Sequence, residues 1–224
     1  MNEAKKTNAF RGPDFVSRFM NGKAIDIGAG TDLVCDWAER FDVEDGDANA
    51  ITKYRQAGAY DAVHSSHCLE HMHDPQNALL EWWALLKPGG YMVTVVPHED
   101  LYEQGIWPSI FNPDHKATFR LDKSTSWSPR SFDIRQLHAK LPGSRVISAE
   151  VQDAGYDYGV QGKYGDARRR IPGAGKVYRL GGRVGFGNAL GRGLRKVAFL
   201  GGLNIDQTTG QALAQIQVVA RKDR

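Results

Sequence analysis

Cysteine is scarce in this 224-residue chain: Cys35 and Cys68 are its only two. That is too few for a disulfide framework or a cysteine-rich zinc site, so two reduced thiols are expected, and neither is a candidate nucleophile. Long apolar runs are missing as well. No stretch reaches the roughly 18 residues a membrane-spanning helix requires, and the first twenty residues lack a signal peptide's apolar centre, so a cytoplasmic protein is expected. There is no internal repeat and no collagen-like glycine period. The formal net charge is only +3, but it conceals an asymmetry. Residues 163–196 carry ten Lys or Arg against the single acid Asp166, net +9, which leaves −6 for the remainder. The same stretch is rich in glycine and marks an insertion at about 160–202.

The rest has globular composition, 41% hydrophobic and 25% charged, at a length that suits one α/β domain over 1–224. Lys23-Ala-Ile-Asp-Ile27 reads as a short buried strand running into the tight turn Gly28-Ala-Gly30, with a helix expected next. Arg40 to Val43 reads as a brief second strand and Tyr60 to His64 as a third. A helix is predicted from Pro75 to Lys87, capped by Asp74 and closed by Lys87-Pro-Gly-Gly90. Tyr91 to Val96 is a buried central strand, residues around 146–151 suggest another, and Ala212 to Ala220 is the last. Strands alternating with helices predict a Rossmann-like, doubly wound, mostly parallel sheet with an antiparallel final strand.

The glycine turn would bring backbone N–H groups close to a ligand at the sheet's carboxyl edge. A dinucleotide fingerprint needs a third glycine where Leu33 stands, so nicotinamide and flavin dinucleotides are disfavoured. A cofactor bearing an ammonium and a ribose would want acids instead, and Asp26, Asp42, Asp45 and Asp47 supply them. Ala24-Ile-Asp-Ile-Gly-Ala-Gly30, Asp45-Gly-Asp-Ala48, Tyr60-Asp-Ala-Val63, Cys68-Leu-Glu-His71, Asp74-Pro75 and Leu86-Lys-Pro-Gly-Gly90 together resemble the successive motifs of class I methyltransferases. Their order and spacing are similar to the small "type 11" branch.

The resemblance implies S-adenosylmethionine as cofactor. It implies Asp26, Gly28 and Gly30 around the donor's methionine part, and Asp47 and Ala48 at the adenine. Asp42 would be the ribose acid, and Ser66 and His67 would lie beside the sulfonium. Only 12 residues separate Gly30 from Asp42 where the family spends nearer 20, so the second strand is expected to be truncated. Glu70 and His71 read as capping the next helix and tying the loop to the sheet. His71-x-His73 has neither a third ligand at helical spacing nor a cysteine partner, so no metal site is expected.

The long segment from Pro97 to Phe119 starts where a parallel strand delivers its carboxyl end, which makes it the expected active-site loop. It resembles loops of methyltransferases encoded with surface-glycan and lipopolysaccharide genes. Tyr102, Trp107 and Phe111 beside polar groups suit a sugar ring. A hydroxyl acceptor must lose its proton, and histidine, with an unperturbed pKa near 6.5, is the natural base. His115, which Asp114 could orient, and His98, beside Glu99, are the candidates.

The reading is O-methylation of a sugar or glycan intermediate, phosphorylated or lipid-linked, with peripheral contact at an anionic inner-membrane face through the basic insertion. RNA or small-molecule methylation and a non-catalytic donor-binding adaptor are the alternatives. No Asn/Asp-Pro-Pro-Tyr motif or appended RNA-binding signature is found, which disfavours nucleic acid.

Overall fold

The computed structural model describes residues 3–166, 173–185 and 188–223. Arg168, Arg169 and Arg170, within the basic insertion, lie outside them. Six strands form the main sheet in the order β2-β1-β3-β4-β8-β7. The first four, β1 (Ala24–Ile27), β2 (Glu39–Phe41), β3 (Tyr60–Ser66) and β4 (Leu86–Pro97), are parallel. A separate small pair joins β5 (Thr118–Arg120) to β6 (Ser131–Asp133). The final strand, β8 (Gln215–Lys222), runs antiparallel between β4 and β7 (Ser144–Gln152). This is the expected mixed α/β sheet. Parallel strands covered on both faces read as near-continuous apolar runs, and β1 is buried at all four positions, with Asp26 its one polar residue.

Two short helices, α1 (Glu3–Asn8) and α2 (Phe15–Phe19), precede β1. The helix α3 (Pro75–Ala84) starts as its sequence dictates. Asp74 accepts from the N–H groups of Gln76 and Asn77, and Pro75 needs no partner in the first turn. Its inner face buries Ala78, Leu79, Trp82 and Trp83 against the sheet. It ends three residues before the expected Lys87, because Leu86 already pairs with Tyr60 as the start of β4. A short α4 (Ile134–Ala139) packs beside β7.

One expectation fails. No helix follows Gly30: residues 28–38 cross from β1 to β2 as an irregular segment that buries Val34, Cys35 and Ala38 against Phe19 and Met20. The connection is too short for a helical crossover that must also return to a parallel neighbour. The N-terminus braces it instead, the Lys5 N–H donating to Asp32 Oδ2 at 3.1 Å and the Asn8 side chain to the Val34 carbonyl at 2.9 Å.

The basic insertion forms two packed helices, α5 (Ala174–Val184) and α6 (Ala189–Leu200), anchored through Ala198, Val160 and Ile205. Among the described residues no helix is long and apolar enough to cross a membrane.

Candidate active site

The chain leaves β1 toward β2 on one side, while β3 pairs on the other, so a crevice opens above the carboxyl ends of β1 and β3. A cavity of about 440 Å³ occupies this switch point, lined by Gly28, Ala29 and Gly30 after β1 and by Ser66 and His67 at the end of β3. Gly28 and Gly30 adopt φ of 75° and 58°, a left-handed conformation that glycine takes without strain. A Cβ on Gly28 would also stand 2.6 Å from Cys68 Cβ.

Asp26 lines the same cavity and is 1% exposed. One carboxylate oxygen accepts the Val34 N–H at 2.7 Å and the other meets His64 Nδ1 at 2.6 Å. Arg11, which has only donors, approaches His64 Nε2 at 3.3 Å, so Nε2 accepts and Nδ1 donates to Asp26. Burial lowers the Arg11 guanidinium to about 10, against the opposing pull of Asp26 and Glu150. This buried chain ties the N-terminal segment, the crossing loop and β3 together behind the cavity wall.

The remaining donor-site candidates separate. Asp42 follows β2 and falls outside the cavity lining, but its Oδ2 accepts the Gly30 N–H at 2.6 Å, so it adjoins the wall through that glycine. Asp47 and Ala48 do not line the cavity. Asp47 caps a 3-10 turn through the Asn49 N–H, and the Ala48 carbonyl accepts from the Trp82 indole.

The loop candidates divide as well. His98 and Glu99 fall outside the cavity lining, whereas His115 is part of it. His98 accepts the Asp100 N–H at 3.1 Å, and burial pushes its pKa down despite the acids nearby. Glu99, fully buried, is bound by Lys123, Ser126 and Ser131 and so braces the loop. The group that orients His115 is not Asp114 but Glu103, whose Oε1 lies 2.6 Å from His115 Nδ1. Asp114 Oδ2 instead meets His71 Nδ1 at 2.8 Å.

Glu70 and His71 also differ from their sequence reading, since Asp74 does the capping and both residues line the cavity. Glu70 is 1% exposed and neither carboxylate oxygen has a hydrogen-bond partner. Its Oε1 lies 3.5 Å from His67 Nδ1 and 3.9 Å from His115 Nε2. Burial alone would raise the Glu70 carboxyl, but the His67 side chain, at the outer edge of hydrogen-bonding distance, and then the charges of His67, His115 and His71 hold it below the ordinary value. Tyr102, which lines the cavity, packs against both His115 and Phe111 with centroids 5.3 and 5.8 Å away, and Phe111 itself falls outside the lining. Trp107 lies outside the lining.

The methyltransferase-domain family matches residues 3–158 of the chain. The chain belongs to that family. It is a class I methyltransferase with S-adenosylmethionine as its methyl donor. No curated protein matches its sequence. Among solved structures, a chain from the complex between the Haloferax volcanii Trm112 methyltransferase activator and a "putative methyltransferase" aligns at 14% identity over 100% of this chain and 91% of its own, with a TM-score of 0.49. An S-adenosylmethionine-dependent methyltransferase from Archaeoglobus fulgidus aligns at 14% identity over 99% and 95% of the two chains, with a TM-score of 0.48.

The cavity of the methyltransferase fits the donor's chemistry. Asp32 Oδ1 and Ser66 Oγ are buried polar atoms without a hydrogen-bond partner, and both belong to residues that line it. A cationic molecule bearing N–H and O–H donors would satisfy such a set. Of these residues only Ser66 was singled out for the donor from the sequence. Asp32 sits in the segment taken for a helix, where nothing local marked it.

Proposed function

We propose that this methyltransferase transfers a methyl group to a hydroxyl of a sugar or glycan intermediate. The supporting observation is the Glu70, His71 and His115 cluster beside Tyr102 at one end of the donor cavity. When bound, S-adenosylmethionine supplies an electrophilic methyl on a sulfonium. Gly28 and Gly30 would hold its methionine part, Asp42 its ribose, and Ser66 and His67 would flank the sulfonium. Asp26 acts behind them by fixing the crossing loop. Loop 97–119 closes over the acceptor end, so that the whole of 1–224 works as one domain. Most of the rate comes from holding the acceptor oxygen in line, and the imidazole cluster assists its proton loss.

The test is methyl transfer from the labelled donor to saccharides and glycan extracts, with RNA and small amines beside them. Label in an ether-linked methyl of a saccharide is the expected result. Label only in RNA or amines would overturn the acceptor class, and donor binding with no transfer at all would favour an adaptor.

The basic insertion supports a peripheral contact with an anionic, lipid-bearing surface. On α6, Leu190, Val197 and Leu200 are exposed, with Arg192 and Lys196 alongside. Each basic residue near such a surface contributes about 1 kcal/mol, so replacing Arg192 and Lys196 by alanine should weaken partitioning roughly 30-fold. Cosedimentation with anionic vesicles measures this. Binding should also fall steeply with salt, and salt-independent binding, or an unaltered double variant, would count against the contact.

A further inference from the structure

We propose that Glu70, His71 and His115 bind a divalent first-row transition-metal ion at the acceptor end of the cavity. One ligand atom from each lies within 4.8 Å of the others. The Glu70 side chain is almost wholly buried, faces the cavity, and has no hydrogen-bond partner on either oxygen. A buried carboxylate left in this state calls for a cation. Neither lysine nor arginine is its ion-pair partner among the described residues; the groups in ion-pair range are the imidazoles of His67 and His115.

The two proposed histidine ligands are prepared alike. His115 Nδ1 is 2.6 Å from Glu103 Oε1, and His71 Nδ1 is 2.8 Å from Asp114 Oδ2. Each carboxylate accepts the Nδ1 proton, which leaves Nε2 with its lone pair available. That is the carboxylate–histidine arrangement which orients imidazole ligands around metals. The backbone prearranges the trio: the Lys116 and Ala117 N–H groups donate to the Glu70 carbonyl at 2.7 and 3.3 Å, which straps the loop carrying His115 onto the turn carrying Glu70 and His71. Their rings already meet edge to face, with centroids 5.0 Å apart.

Two imidazoles and one carboxylate favour zinc, manganese, iron or cobalt over magnesium or calcium, and three protein ligands leave a coordination position open. For the catalytic consequence the proposal rests on the O-methylation reading. An acceptor hydroxyl at the open position would release its proton to solvent more readily. Its oxygen then bonds to the methyl carbon as the carbon–sulfur bond breaks, the electron pair remaining on sulfur.

The experiment uses the full, untagged chain, stripped with chelator and titrated with Co²⁺. One Co²⁺ per chain is expected, with visible absorption bands that Zn²⁺ displaces. Glu70→Gln, His71→Asn and His115→Asn should each weaken binding by about 100-fold or more, and Glu103→Gln by about 10 to 100-fold, with unchanged circular dichroism. Absence of stoichiometric binding in the wild type, or equal binding in all four variants, would overturn the site. Stripped protein is expected to lose hydroxyl methylation and regain it with Zn²⁺ or Mn²⁺. Full turnover after stripping would remove the metal from the reaction and leave the methyltransferase reading standing. Intact Co²⁺ binding with no turnover on any hydroxyl acceptor would support the site and count against the O-methylation reading.

Discussion

Replacing His115 by alanine is expected to slow methyl transfer to a hydroxyl acceptor by about 100-fold or more while leaving the affinity for S-adenosylhomocysteine essentially unchanged. The expectation comes from placement. The His115 side chain is 3% exposed and held by Glu103 on Nδ1, with Nε2 3.9 Å from Glu70. Its loss removes the group that assists proton departure, whether directly or through a bound ion, and leaves the glycine turn untouched. Single-turnover rates measured beside calorimetric titration separate the two effects. A variant with full single-turnover rate would mean that positioning alone suffices, and a variant that loses donor affinity would mean that His115 belongs to the donor pocket.

Replacing Asp26 by alanine should cost about 3–5 kcal/mol of stability, the range for removing one partner of a buried charged network. The substitution strips the Val34 N–H and His64 Nδ1 of their acceptor and leaves the partly buried Arg11 guanidinium with Gln217, Asn8 and an unanchored His64 as its hydrogen-bond partners. The crossing loop would loosen together with its base, so donor affinity should fall with stability. Asp26→Asn retains an acceptor for Val34 and should cost less. Urea denaturation of the three proteins measures the difference, and an alanine variant within about 1 kcal/mol of wild type would show that the chain contributes little.

The features that could be read from the sequence are those set by neighbours in the chain. Asp74 and Pro75 start α3 through their own chemistry, the glycines turn after β1 because the motif is local, and the apolar run of β4 announces a buried parallel strand. The features that could not be read depend on partners far along the chain. Asp114 precedes His115, yet the loop turns so that Glu103 reaches His115 and Asp114 reaches His71. A metal-like trio was invisible to spacing rules because His115 joins Glu70 and His71 only through the folded loop. The missing helix after Gly30 has the same origin. Its place is taken by a polar N-terminal segment whose bonds to Asp32 and Val34 no periodicity reveals.

Isothermal titration with S-adenosylhomocysteine tests the central claim most directly, that the cavity after β1 and β3 is the donor site. The wild-type chain should bind one equivalent and should not bind NAD. Asp42→Ala should weaken binding by roughly 1–3 kcal/mol, while Asp47→Ala should leave it nearly unchanged. Tight NAD binding, or no binding of S-adenosylhomocysteine by the folded wild type, would contradict the account.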